Sequence, residues 1–178
     1  NAEEKRIVSE YAQNVRGISR DTLIEAWRQG VVKQDNRGYI KDEAGNKIPC
    51  GPGLAFLGYD EKGRVRNAET RLVTAIEVDG ETRTKVCYAG TDKTYPPIFR
   101  GSSEHVAFVE GGYDGLALID MYRREGREVP TTIITGGART LKWEDNPQVQ
   151  EILKNAAIVE PWGDNELTAD GQADAKKQ

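Results

Sequence analysis

The chain of 178 residues has the length of one domain or of two small ones. Its 37% hydrophobic and 30% charged residues predict a soluble protein with a packed core, and no apolar run approaches the roughly 20 residues of a membrane-spanning helix. Cys50 and Cys87 are too few for a disulfide framework, and one histidine leaves no zinc-ligand set of ordinary spacing. We therefore expect a reducing, cytoplasmic setting.

Charge is distributed unevenly along the chain. Residues 1–100 carry 17 Lys and Arg against 15 Asp and Glu, whereas residues 101–178 carry 8 against 14. An acidic second half is not suited to bind phosphate directly, so nucleic acid would be held by basic residues of the first half and by metal ions on the acids of the second. The charged start, "NAEEKRIVSE", is not a signal peptide, and we expect the chain to be part of a longer polypeptide.

The first half predicts a small unit of helices and antiparallel strands. Helices are expected over 3–16 and 21–29, where apolar residues recur at helical spacing. The pattern then changes to short apolar segments between turn signals. These segments predict strands over 54–59 and 65–73 and a further pair around Asp79-Gly80.

The second half predicts alternating strands and helices. Residues 95–104, with two prolines, a glycine and two serines, are expected to be a linker before it. Continuous apolar strands that alternate with helices indicate a parallel sheet with helices on both faces. The expected strands are 106–110, 131–135 and 156–160, and the expected helices are 113–125 and about 146–155.

Acids and glycines follow the three predicted parallel strands. They are Glu110-Gly111-Gly112 with Asp114, then Gly136-Gly137-Ala138-Arg139, then Asp164-Asn165-Glu166. Ligands of an open parallel sheet bind beyond the carboxyl ends of its strands, where these residues should converge. Two carboxylates about 4 Å apart repel by roughly 4 kcal/mol at an effective dielectric near 20, and a bound Mg²⁺ turns that repulsion into binding. The sequence therefore predicts a divalent metal site.

Each acid also has a simpler interpretation. Asp114 and, less readily, Glu110 are placed to cap a helix and to interact favourably with its dipole. Residues 164–166 are also compatible with an ordinary solvated loop. The combined spacing favours the metal site over these separate explanations.

The segment Glu110-Gly111-Gly112-Tyr113-Asp114, with Gly136-Gly137 and the later acids, resembles the Toprim domain of bacterial primases, type IA and type II topoisomerases and related nucleases. The resemblance covers about residues 104–178. It implies a Rossmann-like parallel sheet with flanking helices. It also implies catalytic roles for Glu110 and Asp114 and Mg²⁺ or Mn²⁺ on Glu110, Asp164 and Glu166. The small size of glycine would let phosphate approach the backbone closely at Gly111, Gly112, Gly136 and Gly137.

The first half strengthens the resemblance. "RGISRDTLIEAWRQG" and "LAFLGYDEKGRVRNAETR" are similar to the bacterial primase region upstream of Toprim. "GTDKTYPP" and "VEGGYDGLAL" together resemble the primase-like region of plasmid mobilisation proteins, where it is attached to relaxases. This resemblance implies a primase-like α+β subdomain over 1–98 and a C-terminally truncated Toprim domain over 104–178, within a larger mobilisation polypeptide of the bacterial cytoplasm.

One departure from the family pattern affects the expected metal site. Asp164-Asn165-Glu166 stands where the family has Asp-x-Asp, and the helix that normally follows at once is delayed by "LTADGQAD". The extra methylene of glutamate moves its oxygens by about 1.5 Å, which octahedral Mg²⁺ tolerates poorly. Asp170 or Asp174 is an alternative source of the ligand.

The basic residues expected to contact nucleic acid are Arg71, Lys85, Lys93 and Arg139. Solvated surface cations are the simpler interpretation of each. The resemblance implies Mg²⁺-dependent nucleotidyl transfer from nucleoside triphosphates on single-stranded DNA. Metal-dependent DNA cleavage and a non-catalytic DNA-binding or docking module with a degenerate site are the alternatives.

Overall fold

The structure, a computed structural model, describes residues 2–36, 38–137 and 141–163. Helix α1 spans Ala2–Glu10 and continues as a π-helical turn at Tyr11–Val15, and α2 spans Arg20–Arg28. Further along the chain, α3 spans Gly112–Arg124 and α4 spans Pro147–Asn155, after a 3₁₀ turn at Leu141–Asp145. All four helices occur where the apolar spacing predicts them, because each has an apolar face that must be buried.

The first half of the chain contributes a mixed set of short and long strands. They are β1 (Val32–Asp35), β2 (Tyr39–Lys41), β3 (Lys47–Pro49), β4 (Gly53–Tyr59), β5 (Val65–Val78) and β6 (Glu81–Cys87). The antiparallel sheet has the order β1-β4-β5-β6, and β2 and β3 form a separate hairpin. The two strands expected on either side of residue 73 form one continuous strand, β5, with an irregular register between Arg71 and Ile76.

The second half contributes β7 (Ile98–Phe99), β8 (Ser102–Val109), β9 (Pro130–Ile134) and β10 (Ile158–Trp162). The sheet has the order β10-β8-β9-β7, in which β10, β8 and β9 are parallel and β7 is antiparallel to β9. Apolar residues of α3 and α4 belong to different clusters on the two faces of this sheet. The prediction of a parallel sheet with helices on both faces is confirmed.

Residues 95–104 were predicted to be a linker, but they are structured, so this prediction was wrong. The segment contains β7 and the start of β8, which begins four residues before the expected boundary. Two prolines indicated a loop, but a short strand at a sheet edge tolerates neighbouring prolines because few of its N–H groups need partners. β1 was also not predicted, because four residues are too few for an alternation of buried and exposed side chains to be recognised.

The largest apolar cluster joins both halves of the chain. Leu54 and Phe56 of β4 are buried in it together with Leu116 and Ile119 of α3. Packing between the halves thereby fixes the antiparallel sheet against the first helix of the parallel-sheet unit. The division into 1–98 and 104–178 as separate domains stays a prediction.

A buried carboxylate links α2 to α3. Asp120, 3% exposed, accepts hydrogen bonds from Thr22 Oγ1 at 2.9 Å and the Ser19 N–H at 3.2 Å, and pairs with Arg124 at 2.6 Å. Burial alone would raise the pKa of Asp120, but the hydrogen bonds from Ser19 and Thr22 outweigh it, so the pKa is lowered.

Asp120→Asn is expected to lower the free energy of unfolding by about 2 kcal/mol at pH 7, because the charge-assisted hydrogen bonds weaken. The pKa of Asp120 is lower in the folded protein, so its contribution is present above the unfolded value of about 3.9 and is lost as the pH falls through the folded value. The wild-type and variant proteins should therefore converge in stability in acid. Urea unfolding from pH 7 to pH 3 measures this, with the exposed Asp145→Asn as control. An equal loss at both pH values would contradict the prediction.

Within the described ranges, no helix is long and apolar enough to cross a membrane.

Candidate functional site

Glu110 is the first residue after β8, at the carboxyl end of the parallel sheet. The ends of β8 and β9 stay joined there, because the Thr135 N–H donates to the Val109 carbonyl and the Gly136 N–H to the Glu110 carbonyl, both at 2.9 Å. Glu110 is half-buried, and its carboxylate has no hydrogen-bond or ion-pair partner in the part of the chain that the structure describes. A carboxylate held on a fixed strand end, with no partner among these described residues, is suited to accept a proton or a cation.

Asp114 folds back over the start of α3. Its Oδ2 atom lies 2.0 Å from the point that a Cβ at Gly111 would occupy, so a side chain at position 111 would force the Asp114 carboxylate to move. A terminal nitrogen of Arg71 lies 3.7 Å from the same point. The structure therefore brings Arg71, from β5 in the first half, to the turn that follows Glu110.

Arg71 is positioned by its own strand. It pairs in register with buried Leu54 on β4 and with exposed Lys85 on β6, so its side chain lies on the face that packs against the second half. Its Nε atom lies 3.1 Å from Glu69 Oε1, and these side chains are 27% and 12% exposed. Glu69 was missed in the sequence, although a spacing of two residues on a strand indicates a shared face.

Lys93 reaches the second strand end. Its Nζ atom donates to the Gly136 carbonyl at 3.2 Å, and Gly136 in turn donates to Glu110. Lys93, which precedes β7, and Arg71, on β5, therefore both lie at the edge where β8 and β9 end. Lys85, in contrast, is exposed on the far strand of the antiparallel sheet and is linked to this edge only through its register partner Arg71.

Different features of the structure account for the glycines that were expected near phosphate. A Cβ at Gly112 would lie 2.5 Å from the buried ring of Phe56, so this glycine permits helix-to-sheet packing. Gly136 and Gly137 have φ values of 75° and 141°, which favour glycine. Proximity of all four to phosphate stays a prediction.

The remaining expected site residues lie outside the described part of the chain. They are the metal ligands Asp164 and Glu166, the alternatives Asp170 and Asp174, and the basic residue Arg139. Over the described ranges, no three His, Cys, Asp or Glu side chains are grouped so that they could hold a metal ion. Glu110 is thus the one expected ligand whose surroundings the described residues define, and carboxylate oxygen is a type of ligand that Mg²⁺ accepts.

The acid on the third strand has a structural role. Glu160 Oε2 accepts from Tyr122 Oη at 2.9 Å and from Trp162 Nε1 at 3.2 Å, and it lies 3.2 Å from His105 Nε2. The hydrogen bond from Tyr122 is the main cause that lowers the pKa of Glu160. This carboxylate connects β10 to α3 and lies against β8. Its Oε2 atom already accepts hydrogen bonds from Tyr122 and Trp162.

Tyr113, between Gly112 and Asp114, is not arranged as a nucleophile. It is 6% exposed, its ring packs edge-on against Tyr11 and Phe56, and the Arg16 guanidinium lies 4.7 Å from the ring centre. Burial strongly raises the pKa of its hydroxyl, which stays protonated at neutral pH. The tyrosine nearest to Glu110 in the chain therefore gives no support to topoisomerase-type cleavage.

The fold is a mixed α/β architecture with several sheets, one of them mostly parallel. No protein-family model matches the chain, and no curated protein matches it. Among solved structures it is similar to the DnaG primase catalytic domain bound to ssDNA, with 13% sequence identity and a TM-score of 0.48. The similarity covers 90% of this chain, which spans 64% of the length of that one.

Proposed function

We propose that this chain is a primase-like catalytic region that transfers nucleotides on single-stranded DNA with Mg²⁺ or Mn²⁺. The observation that carries the proposal is the meeting of three groups at one edge of the parallel sheet. Glu110 follows β8, Arg71 reaches Gly111, and Lys93 donates to Gly136 after β9. A carboxylate beside two cations from another part of the chain suits a substrate that carries phosphate and must lose a proton.

Each of these side chains has a distinct part in the proposed mechanism. Lys93 and Arg71 bind phosphate oxygens of the triphosphate or of the template, and Glu69 holds Arg71 in place for this contact. Glu110 accepts the proton of the attacking 3′-hydroxyl. Glu110, Asp164 and Glu166 would hold a divalent ion, which would supply positive charge beside the reacting phosphates.

The biological setting is part of the same proposal. The sequence resemblance supports a place within a larger plasmid mobilisation protein of the bacterial cytoplasm, next to a relaxase. Single-stranded DNA and nucleoside triphosphates would then be its partners.

Primer synthesis on a single-stranded template with labelled nucleotides and Mg²⁺ or Mn²⁺ tests the activity directly. Products are expected from the full-length protein and not from its Glu110→Gln variant. Nicking of supercoiled plasmid that depends on Glu110 would instead favour metal-dependent cleavage. Tight DNA binding that neither a chelator nor Glu110→Gln changes, with no product in either assay, would favour a non-catalytic module.

Lys93→Met is expected to weaken binding of a single-stranded oligonucleotide by about tenfold at low salt, because one phosphate contact is lost. The slope of log K against log salt should fall by about 0.7 in magnitude. Fluorescence anisotropy over a salt series measures both quantities. Lys154→Met is the matched control, since Lys154 is an exposed lysine on α4 whose one ion-pair partner among the described residues is neighbouring Glu151, at 3.6 Å. Equal slopes for wild type and Lys93→Met would contradict a phosphate contact.

A further inference from the structure

A cavity lies on the outer face of the antiparallel sheet. It has a volume of about 350 Å³, and Ala55, Leu57 and Ala68 form its floor. Side chains alternate along a strand, so these residues point away from Phe56 and Arg71, which face the candidate site. The cavity is therefore separated from the Glu110 edge by the sheet itself.

Two small side chains of the floor, Ala55 and Ala68, face outward from neighbouring strands. Leu57 pairs in register with Ala68, and Ala55 pairs with Thr70. Longer side chains at 55 and 68 would fill the hollow. A shallow apolar floor of this kind accepts a planar ring better than a branched aliphatic group, by shape alone.

The walls are fixed by hydrogen bonds. On one side, the segment after β6 is tied to β5, because the Tyr88 N–H and Thr91 Oγ1 both donate to the Ala68 carbonyl at 3.2 Å. On the other side, β1 contributes Asp35, which accepts from Tyr88 Oη and from Thr70 Oγ1. A cavity whose walls are already ordered loses little freedom when a ligand binds.

Cations line the cavity above the apolar floor. Lys33 on β1 is exposed and forms no ion pair with any residue in the described ranges. Arg66 on β5 lies 3.4 Å from Asp92 and 3.8 Å from Asp60, which hold it in place. The Lys33 ammonium group, with no ion-pair partner among the described residues, is thus the group most suited to an anion carried by a ligand in the cavity.

We propose that this cavity binds an aromatic base that carries a phosphate, either as a free mononucleotide or as one nucleotide of a single strand. The ring lies on Ala55 and Ala68 beside the Tyr88 phenol, and the phosphate contacts Lys33. The volume is at the lower end of the range of about 300–1,000 Å³ for small-molecule sites, which suits one nucleotide.

Calorimetric titration with 5′-AMP, with adenosine and with a ten-residue oligothymidylate tests the site. We expect 5′-AMP or the oligonucleotide to bind, and adenosine to bind at least tenfold more weakly than 5′-AMP. Binding of 5′-AMP identifies a free-nucleotide site, whereas binding of the oligonucleotide alone identifies a base pocket for a single strand. Absence of binding by both phosphate-bearing probes would overturn the proposal.

Two variants locate the binding. Ala68→Leu fills the floor and should weaken binding at least tenfold, with exposed Ala117→Leu on α3 as control. Lys33→Met should weaken binding of the phosphate-bearing probe by about tenfold and binding of adenosine by less than twofold, and this surface change keeps the test valid if Ala68→Leu does not fold. Undiminished binding by Lys33→Met would overturn the proposal.

Discussion

Replacing Glu110 with glutamine is expected to reduce primer synthesis by at least about a hundredfold, with little change in stability. The Glu110 carboxylate has no partner among the described residues, so its loss breaks no hydrogen bond or ion pair with them. Glutamine has nearly the same shape but neither accepts the proton nor carries the charge that a divalent ion requires, and loss of a general base alone costs typically 10²–10⁴-fold. Rates of nucleotide incorporation and urea unfolding curves measure the two effects.

The matched control is Glu104→Gln. Glu104 is an exposed glutamate on the same strand, β8, but it lies near the start of the strand and not at its carboxyl end. The rate of this variant should remain within about twofold of wild type. Equal rates for wild type and Glu110→Gln would show that the Glu110 carboxylate takes no part in the reaction.

The second large effect is expected at Gly112, and it concerns stability. An added Cβ would lie 2.5 Å from the ring of Phe56, which is 2% exposed and surrounded by the core that joins the two halves. Overpacking of a core typically costs 1–3 kcal/mol. Because the distance here is so short, we expect Gly112→Ala to lower the free energy of unfolding by about 3 kcal/mol. Urea denaturation measures the loss, and Gly51→Ala is the control because nothing lies within 4 Å of its added Cβ.

A double-mutant cycle with Phe56→Leu separates overpacking from other causes. If the ring is the obstacle, Gly112→Ala should cost less in the Phe56→Leu background, with a coupling free energy of about 1 kcal/mol or more. Strict additivity of the two changes would contradict direct contact as the cause. A loss of activity without loss of stability in Gly112→Ala would instead favour the predicted proximity of Gly112 to phosphate.

The position of Glu110 could be predicted from the sequence because it depends on local structure. An apolar run fixes β8, two glycines end it, and helical spacing fixes α3, so Glu110 and Asp114 fall at the strand end whatever the rest of the chain does. The strand boundaries were less accurate. β10 begins and ends two residues later than expected, since its extent depends on pairing with β8 and not on its own composition.

The approach of the basic residues depends on long-range packing. Arg71 reaches Gly111 because β4 and β5 are packed against α3 through Phe56 and Gly112. Neither periodicity nor composition indicates such a contact, and only the family resemblance suggested it for Arg71 and Lys93. The role of Glu69 as the partner of Arg71 is visible only once the face of β5 is known.

Calorimetric titration with Mn²⁺ tests the central claim most directly, because it requires neither substrate nor template. The claim is that Glu110, together with acids beyond β10, binds a divalent cation at the edge where the two halves of the chain meet. We predict measurable heat of Mn²⁺ binding by the wild-type protein and at least tenfold weaker binding by Glu110→Gln, while Glu104→Gln binds as the wild type does. No heat from the wild-type protein, or the same affinity in Glu110→Gln, would contradict the account.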